Sequence, residues 1–270
     1  MPGHPAKCLS RCHYRLWAAD CEGIAKLKLP NTSILTAESR PAGEFTPVGG
    51  QPIRSLPAFC RVAGVIRPSS DSNIQFEVWM PSSGWNGKFH GVGNGGFAGT
   101  ISYAALAGAL AHGYATASTD TGHHAGPGQD ATWALGHPEK IIDFGYRAIH
   151  ETAEKAKAIL GAFYGEGPRR SYFSSCSNGG RQALMAAQRD PDAFDGIVGG
   201  SPAHNPTKQA GEQNWSLRQF PPDHGKPGPG TTTAAPPAAP KRAHPRPGKP
   251  TQSAAAVREG GRGEQSFGAS

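Results

Sequence analysis

Tyr172-Phe173-Ser174-Ser175-Cys176-Ser177-Asn178-Gly179-Gly180-Arg181-Gln182 is the stretch on which the reading of this chain turns. Ser171 to Ser175, at its start, reads as a short strand. Gly179 to Arg189 reads as a helix closed by Pro191. Between them Ser177 stands among small residues. A serine held in a strained strand-to-helix turn needs small neighbours two positions to either side, here Ser175 and Gly179. Such a turn presents the hydroxyl at the helix N-terminus, where backbone N–H groups and the helix dipole favour a developing negative charge. The N–H of Asn178 would be one oxyanion donor. A second belongs to an earlier loop that follows a strand, and Gly93 to Gly96 fits in position and flexibility. Each half has a plainer reading alone, the glycines as a turn and Ser-x-Gly-Gly as a helix N-cap. Together and in this order they favour acyl transfer at Ser177.

Outward from that stretch, strands and helices alternate. Arg61 to Arg67 is a short strand, and Ile74, Phe76, Val78 and Met80 alternate with polar residues, the pattern of a half-buried strand stopped by Pro81. Lys88 to Val92 runs as a third strand into the glycine-rich segment Gly91 to Phe97. Ile101 to His112 is an Ala/Leu-rich helix ended by Gly113, and Tyr114 to Thr119 is a strand leading to the turn Asp120-Thr121-Gly122-His123-His124. A helix opens near Pro138, and its apolar residues Ile142, Tyr146, Ile149, Ala153, Ala156 and Leu160 form one stripe stopped by Gly165 and Pro168. Gly196 to Gly200 is the last strand. This order predicts an α/β fold with a mostly parallel, helix-covered sheet.

The chain has 270 residues and a formal charge of +7. Residues 221–270 hold 7 Lys/Arg against 3 Asp/Glu, leaving the first 220 residues only +3. The same 50 residues carry 10 Pro and 8 Gly, with Val257 and Phe267 as their only large apolar side chains, so a disordered tail is expected there. A basic tail without aromatic interleaving or a recognised motif gives no specific nucleic-acid partner. No run of 18 apolar residues exists, which excludes an apolar membrane-spanning helix. Met1 to Tyr14 lacks the apolar centre of a signal peptide, and residues 1–17 are expected to be poorly ordered. Cys8, Cys12, Cys21, Cys60 and Cys176 show no Cys-x-x-Cys pair, so no zinc site is expected, and their odd number leaves at least one thiol without an intrachain partner.

Five motifs in order resemble the tannase/feruloyl esterase family of α/β-hydrolases. They are Gly93 to Gly99, Ser118 to His123, Asp143 to Ala148, Cys176 to Gln182 and Asp195 to Ala203, within a match over residues 18–220. The resemblance implies a serine carboxylic-ester hydrolase acting on esters of aromatic acids, with Ser177 as nucleophile and Gly95 and Asn178 as the oxyanion hole. It implies a disulfide between Cys21 and Cys60, a secreted or periplasmic location, and a second disulfide from Cys176 to a cysteine that this sequence lacks. It implies no cofactor for these residues, because the family's calcium site lies in a lid domain beyond this point.

In such hydrolases the triad runs Ser, then Asp or Glu, then His. After Ser177 stand His204, His224 and His244. His204 comes directly behind a strand, too early for the base, and the other two lie in the tail. Asp190, Asp192 and Asp195 fall on the wrong side of the sheet for the acid. A triad Asp and His are therefore expected to be absent, and the enzyme crippled. Resemblance stops near Phe220 in a run rich in Pro, Ala, Gly, Arg and Thr, which a shifted reading frame of a GC-rich gene would give. The expectation is a truncated or frameshifted member carrying part of the α/β-hydrolase sheet, and the other reading is a Pro-rich linker. The alternative function is an inactive remnant that at most binds aromatic ligands. Asp120 and His123 are expected to hold their turn by bonds to backbone, Arg181 to make an ion pair, and Trp79, Trp85 and Trp133 to pack.

Overall fold

The computed structural model describes residues 20–97, 99–124 and 130–205 and the single positions 208, 211, 212 and 215. The expected loose N-terminus (1–17) and tail (221–270) lie outside these residues. The chain divides into two units, Met1–Asn214 and Trp215–Ser270, and every element below belongs to the first.

Seven strands make the main sheet: β1 (Thr32–Arg40), β4 (Phe59–Ile66), β5 (Ile74–Pro81), β6 (Lys88–Val92), β7 (Ala115–Thr119), β8 (Arg170–Cys176) and β9 (Gly196–Gly200). β2 (Gly43–Phe45) and β3 (Ile53–Leu56) pair separately. The order in space is β1-β4-β5-β7-β6-β8-β9. The pairs β1/β4, β4/β5 and β5/β7 are antiparallel, whereas β6/β7, β6/β8 and β8/β9 are parallel. The sheet is therefore mixed, which corrects the mostly parallel expectation. β4 and β5 are joined by a connection too short for the crossover that a parallel pair needs.

Helix α1 (Tyr103–Ala111) lies on one face, over a core of Phe59, Trp79, Val92, Leu106 and Leu110. Helices α3 (Ala148–Tyr164) and α4 (Asn178–Arg189) lie on the other, over Phe76, Val78, Phe89, Ile159, Leu160, Phe173 and Ala183. With both faces covered, β5 is buried everywhere except Gln75 and is not the half-buried strand expected. Even Glu77 is buried, and its carboxylate accepts hydrogen bonds from Arg61, the Trp79 indole and the Tyr103 hydroxyl. Over β6, β8 and β9, the face that carries α1 is open. His90, Tyr172, Ser174 and Val198 line a trough there of about 660 Å³.

The stripe from Ile142 to Leu160 is interrupted. Helix α2 (Pro138–Ile142) passes into a π turn, Asp143–Arg147, before α3 begins. The wider turn shifts the phase of the helix, so Ile142 and Tyr146 are only half-buried and Asp143 is buried instead. Ile149, Ala153, Ala156 and Leu160 then follow the expected face. A left-handed Gly165 (φ 76°) ends α3. Cys21 and Cys60 form a disulfide that ties a 3₁₀ turn, Glu22–Lys26, to β4. Among the described residues no helix is long and apolar enough to cross a membrane.

Candidate active site

β6 and β8 are parallel neighbours, yet the chain leaves them in opposite directions. From β6 it crosses through α1 to β7 on one side, and from β8 through α4 to β9 on the other. Between them is a topological switch point, where the loops at the carboxyl ends of the strands open a crevice. The loop after β6 holds Gly93 to Phe97, and the turn after β8 holds Ser177.

Ser177 has φ 60° and ψ −121°, a conformation that L residues avoid. Its N–H donates to the Gly200 carbonyl (3.0 Å), and its own carbonyl accepts from the N–H groups of Arg181 (3.1 Å) and Ala203 (3.0 Å). The residue is exposed and makes no side-chain capping bond, so it is not the plain N-cap of α4. Crowding explains the glycines after it. A Cβ on Gly179 would stand 1.9 Å from Ser175 Oγ and 3.1 Å from the Asn94 carbonyl oxygen, and one on Gly180 would stand 2.4 Å from the Gly200 carbonyl oxygen.

Asn178 is buried at the first position of α4, where its N–H has no intrahelical acceptor. Gly95 lies exposed in the loop after β6, with open space where a Cβ would project. Asn94 joins the loop to α4: its N–H donates to Gln182 Oε1 (3.1 Å), and Gln182 Nε2 donates to Asn94 Oδ1 (2.9 Å). Asn94 Nδ2 also donates to the carbonyls of Thr100 and Thr119. Sequence reading missed this pair, although both residues lie inside motifs it singled out.

Among the described residues Arg181 makes no ion pair, contrary to expectation. Its guanidinium donates to Asn178 Oδ1 (2.7 Å) and to the carbonyls of Gly145 (2.9 Å) and Phe144 (3.0 Å), carbonyls of the π turn. It also lies 4.6 Å from the centre of the Phe144 ring. Burial holds this guanidinium below its ordinary pKa. Asp120 and His123 do hold backbone. Asp120 Oδ1 accepts from the N–H groups of Gln75 (2.9 Å) and Gly122 (2.8 Å), and His123 Nε2 bonds the Phe97 carbonyl. Burial pushes His123 down. Trp133 stacks on the His123 ring (3.8 Å), and Phe97 and Phe144 complete a half-buried aromatic cluster. Trp79 is core, and Trp85 stacks on Tyr164.

Two of the three candidate acids after Ser177, Asp190 and Asp195, are engaged elsewhere. Asp195 accepts from the Ser171 N–H and pairs with Arg170 at the amino ends of β8 and β9, away from the serine, and Asp190 contacts His150. His204 follows Ala203 at the carboxyl end of β9. It is exposed, and its Nδ1 bonds the Pro202 carbonyl rather than Ser177. Cys176 is a free, exposed thiol. Among the described residues no group of three or more His, Cys, Asp or Glu is placed to hold a metal ion.

The sequence model of "Tannase and feruloyl esterase" matches residues 60–231. A protein of Xanthomonas campestris described as an uncharacterized esterase is 50% identical over 199 residues, covering 74% of this chain and 34% of that protein. A probable feruloyl esterase B-1 of Aspergillus fumigatus is 39% identical over 195 residues, covering 68% of this chain and 36% of that one. The crystal structure of feruloyl esterase B from Aspergillus oryzae superposes with a TM-score of 0.63 at 35% identity, over 68% of this chain and 38% of that one. The chain thus spans about a third of the length of the curated relatives it matches.

Proposed function

We propose, from the premise that this chain belongs to the tannase and feruloyl esterase family, that Ser177 is the acyl-accepting nucleophile of a carboxylic-ester hydrolase. One observation carries the reading. An exposed serine with φ 60° sits at a helix N-terminus, across a switch point from a glycine-rich loop. Attack by Ser177 Oγ forms the Oγ–C bond and moves the carbonyl electrons onto oxygen. The N–H groups of Asn178 and Gly95 are the donors assigned to that charge. Collapse breaks the bond to the alcohol, which leaves with the serine proton, and water then releases the acid. The substrate class assigned is esters of aromatic acids, by kinship with proteins described as feruloyl esterases. A compartment outside the reducing cytosol is supported by the Cys21–Cys60 disulfide.

The second reading is a non-catalytic module that binds aromatic ligands. The observation favouring it is that, among the described residues, Ser177 has no imidazole partner to take its proton. Loss of a triad base costs on the order of a million-fold in rate.

Hydrolysis of a p-nitrophenyl ester and of methyl ferulate, compared with Ser177→Ala, separates the two. The esterase reading expects turnover that the variant loses, together with rapid labelling of Ser177 by an activated phosphonate. Equal rates and no labelling would leave the binding module.

A further inference from the structure

Asp120 and Asp143 lie outside the chemistry assigned to Ser177, yet both are buried, at 2% and 0% exposure. They flank Gly122. The Gly122 N–H donates to Asp120 Oδ1, and a Cβ at Gly122 would stand 3.0 Å from Asp143 Oδ2. Asp120 Oδ1 has two donors, and Asp143 Oδ1 accepts from Arg147 Nε (2.6 Å). Among the described residues, the two remaining oxygens, Asp120 Oδ2 and Asp143 Oδ2, are buried without a hydrogen-bond partner. Two ionised carboxylates cannot share such a place without a counterion for each, and Arg147 pairs with Asp143 and Glu139 rather than with Asp120.

We propose that Asp120 and Asp143 hold one proton between their Oδ2 atoms, Asp120 donating, and that this bond pins the turn after β7 to the π turn. The π turn supplies the carbonyls that hold Arg181, and Arg181 holds Asn178, so the pair positions the first turn of α4 from a distance. The inference needs no catalysis at Ser177 and stands apart from the esterase reading.

Burial pushes Asp120 up to about 7, and the charge on Asp143 adds to this. Asp143 is also raised by burial, opposed by hydrogen bonds from Arg147 and Ser72. The charged and titratable groups around the pair are Arg147 and Glu139 on the helical run of Asp143, and His123 and His124 on the turn, with Lys140 beside His123. β5 brings only Gln75. Unfolded, Asp120 ionises near 4. The folded state therefore binds one more proton between about 4 and about 7, and stability falls as pH rises through that interval and then levels.

The test is urea unfolding of the full chain between pH 4 and 8, wild type against Asp120→Asn, whose amide can donate as the acid does. The wild-type folding constant should lose up to about tenfold per pH unit more than the variant's over that interval. Equal slopes would overturn the proposal. Histidines titrate in the same range, so a second readout is the carbonyl stretch of a protonated carboxylic acid in the infrared spectrum at pH 6. It should be present in the wild type and absent in Asp120→Asn. In Asp143→Asn, freed from the neighbouring charge, its midpoint should move to lower pH. A wild type without that band would overturn the proposal even if Asp120→Asn failed to fold.

Discussion

At the scale of single residues, the site is a problem of room. Ser177 stays at φ 60° only because its N–H and carbonyl are both held, by Gly200 on one side and by Arg181 and Ala203 on the other. Strain of this kind costs about 1–3 kcal/mol and persists where the surroundings over-determine it. Gly179 is the residue that lets them do so, since a methyl group there would meet both Ser175 and the loop after β6. Gly179→Ala is expected to lose about 1–3 kcal/mol of stability, the usual cost of overpacking. Ser175→Gly in the same chain should restore part of it, because the blocking atoms are Ser175 Oγ and Cβ. Urea midpoints of the two single variants and the double variant measure the coupling, and strictly additive changes would place the crowding elsewhere.

At the scale of elements, the π turn is the feature that joins fold to site. It frees the carbonyls of Phe144 and Gly145, and Arg181 takes both with one planar group while also holding Asn178. Arg181→Met should cost about 2 kcal/mol, because unpaired buried carbonyls lose more than the relief of desolvating a guanidinium returns. Arg181→Lys should recover little, since an ammonium cannot reproduce the fork. Thermal unfolding of the two variants decides, and a lysine that restored the wild-type midpoint would show a point charge to be sufficient. Sequence reading missed this turn for a physical reason. Ile142, Tyr146 and Ile149 are spaced as an α-helix demands, and the one contrary signal was Asp143 among them. It missed β1 because Thr32–Arg40 keeps little apolar patterning and is fixed by backbone pairing to β4, with Leu35 68% exposed. Strands β6 and β9 and the turn at Ser177 were legible because glycine placement and local alternation encode them. The Asn94–Gln182 and Asp120–Asp143 contacts were not, because they join residues that only the sheet brings together.

At the scale of the whole molecule, the two ends of the sheet are stabilised in different ways. At one end β9 bonds β8 and leaves Val198 66% exposed. At the other, β1 and β4 lie beside the Cys21–Cys60 disulfide, whose partners are 39 residues apart in a segment that includes β1, β2 and β3. Closing a loop of that length removes chain entropy worth about 4 kcal/mol from the unfolded state. β4 stands four strand positions from β8, roughly 19 Å at ~4.8 Å per strand, so the bond should stabilise the fold without shaping the turn at Ser177. The variant Cys21→Ala/Cys60→Ala should therefore unfold at much lower urea, with a loss of about 4 kcal/mol, while Ser177 keeps whatever phosphonate reactivity it has in the native protein. Cys176→Ser is the control, since that thiol is free and exposed. Added reductant should lower the midpoint of the wild type and of Cys176→Ser alike and leave the double variant unmoved. Coincident midpoints with and without the Cys21–Cys60 bond would mean that β1 and β4 are held by their pairing alone. A fall in Ser177 labelling without a fall in stability would mean that the strain at the turn is supported from across the sheet.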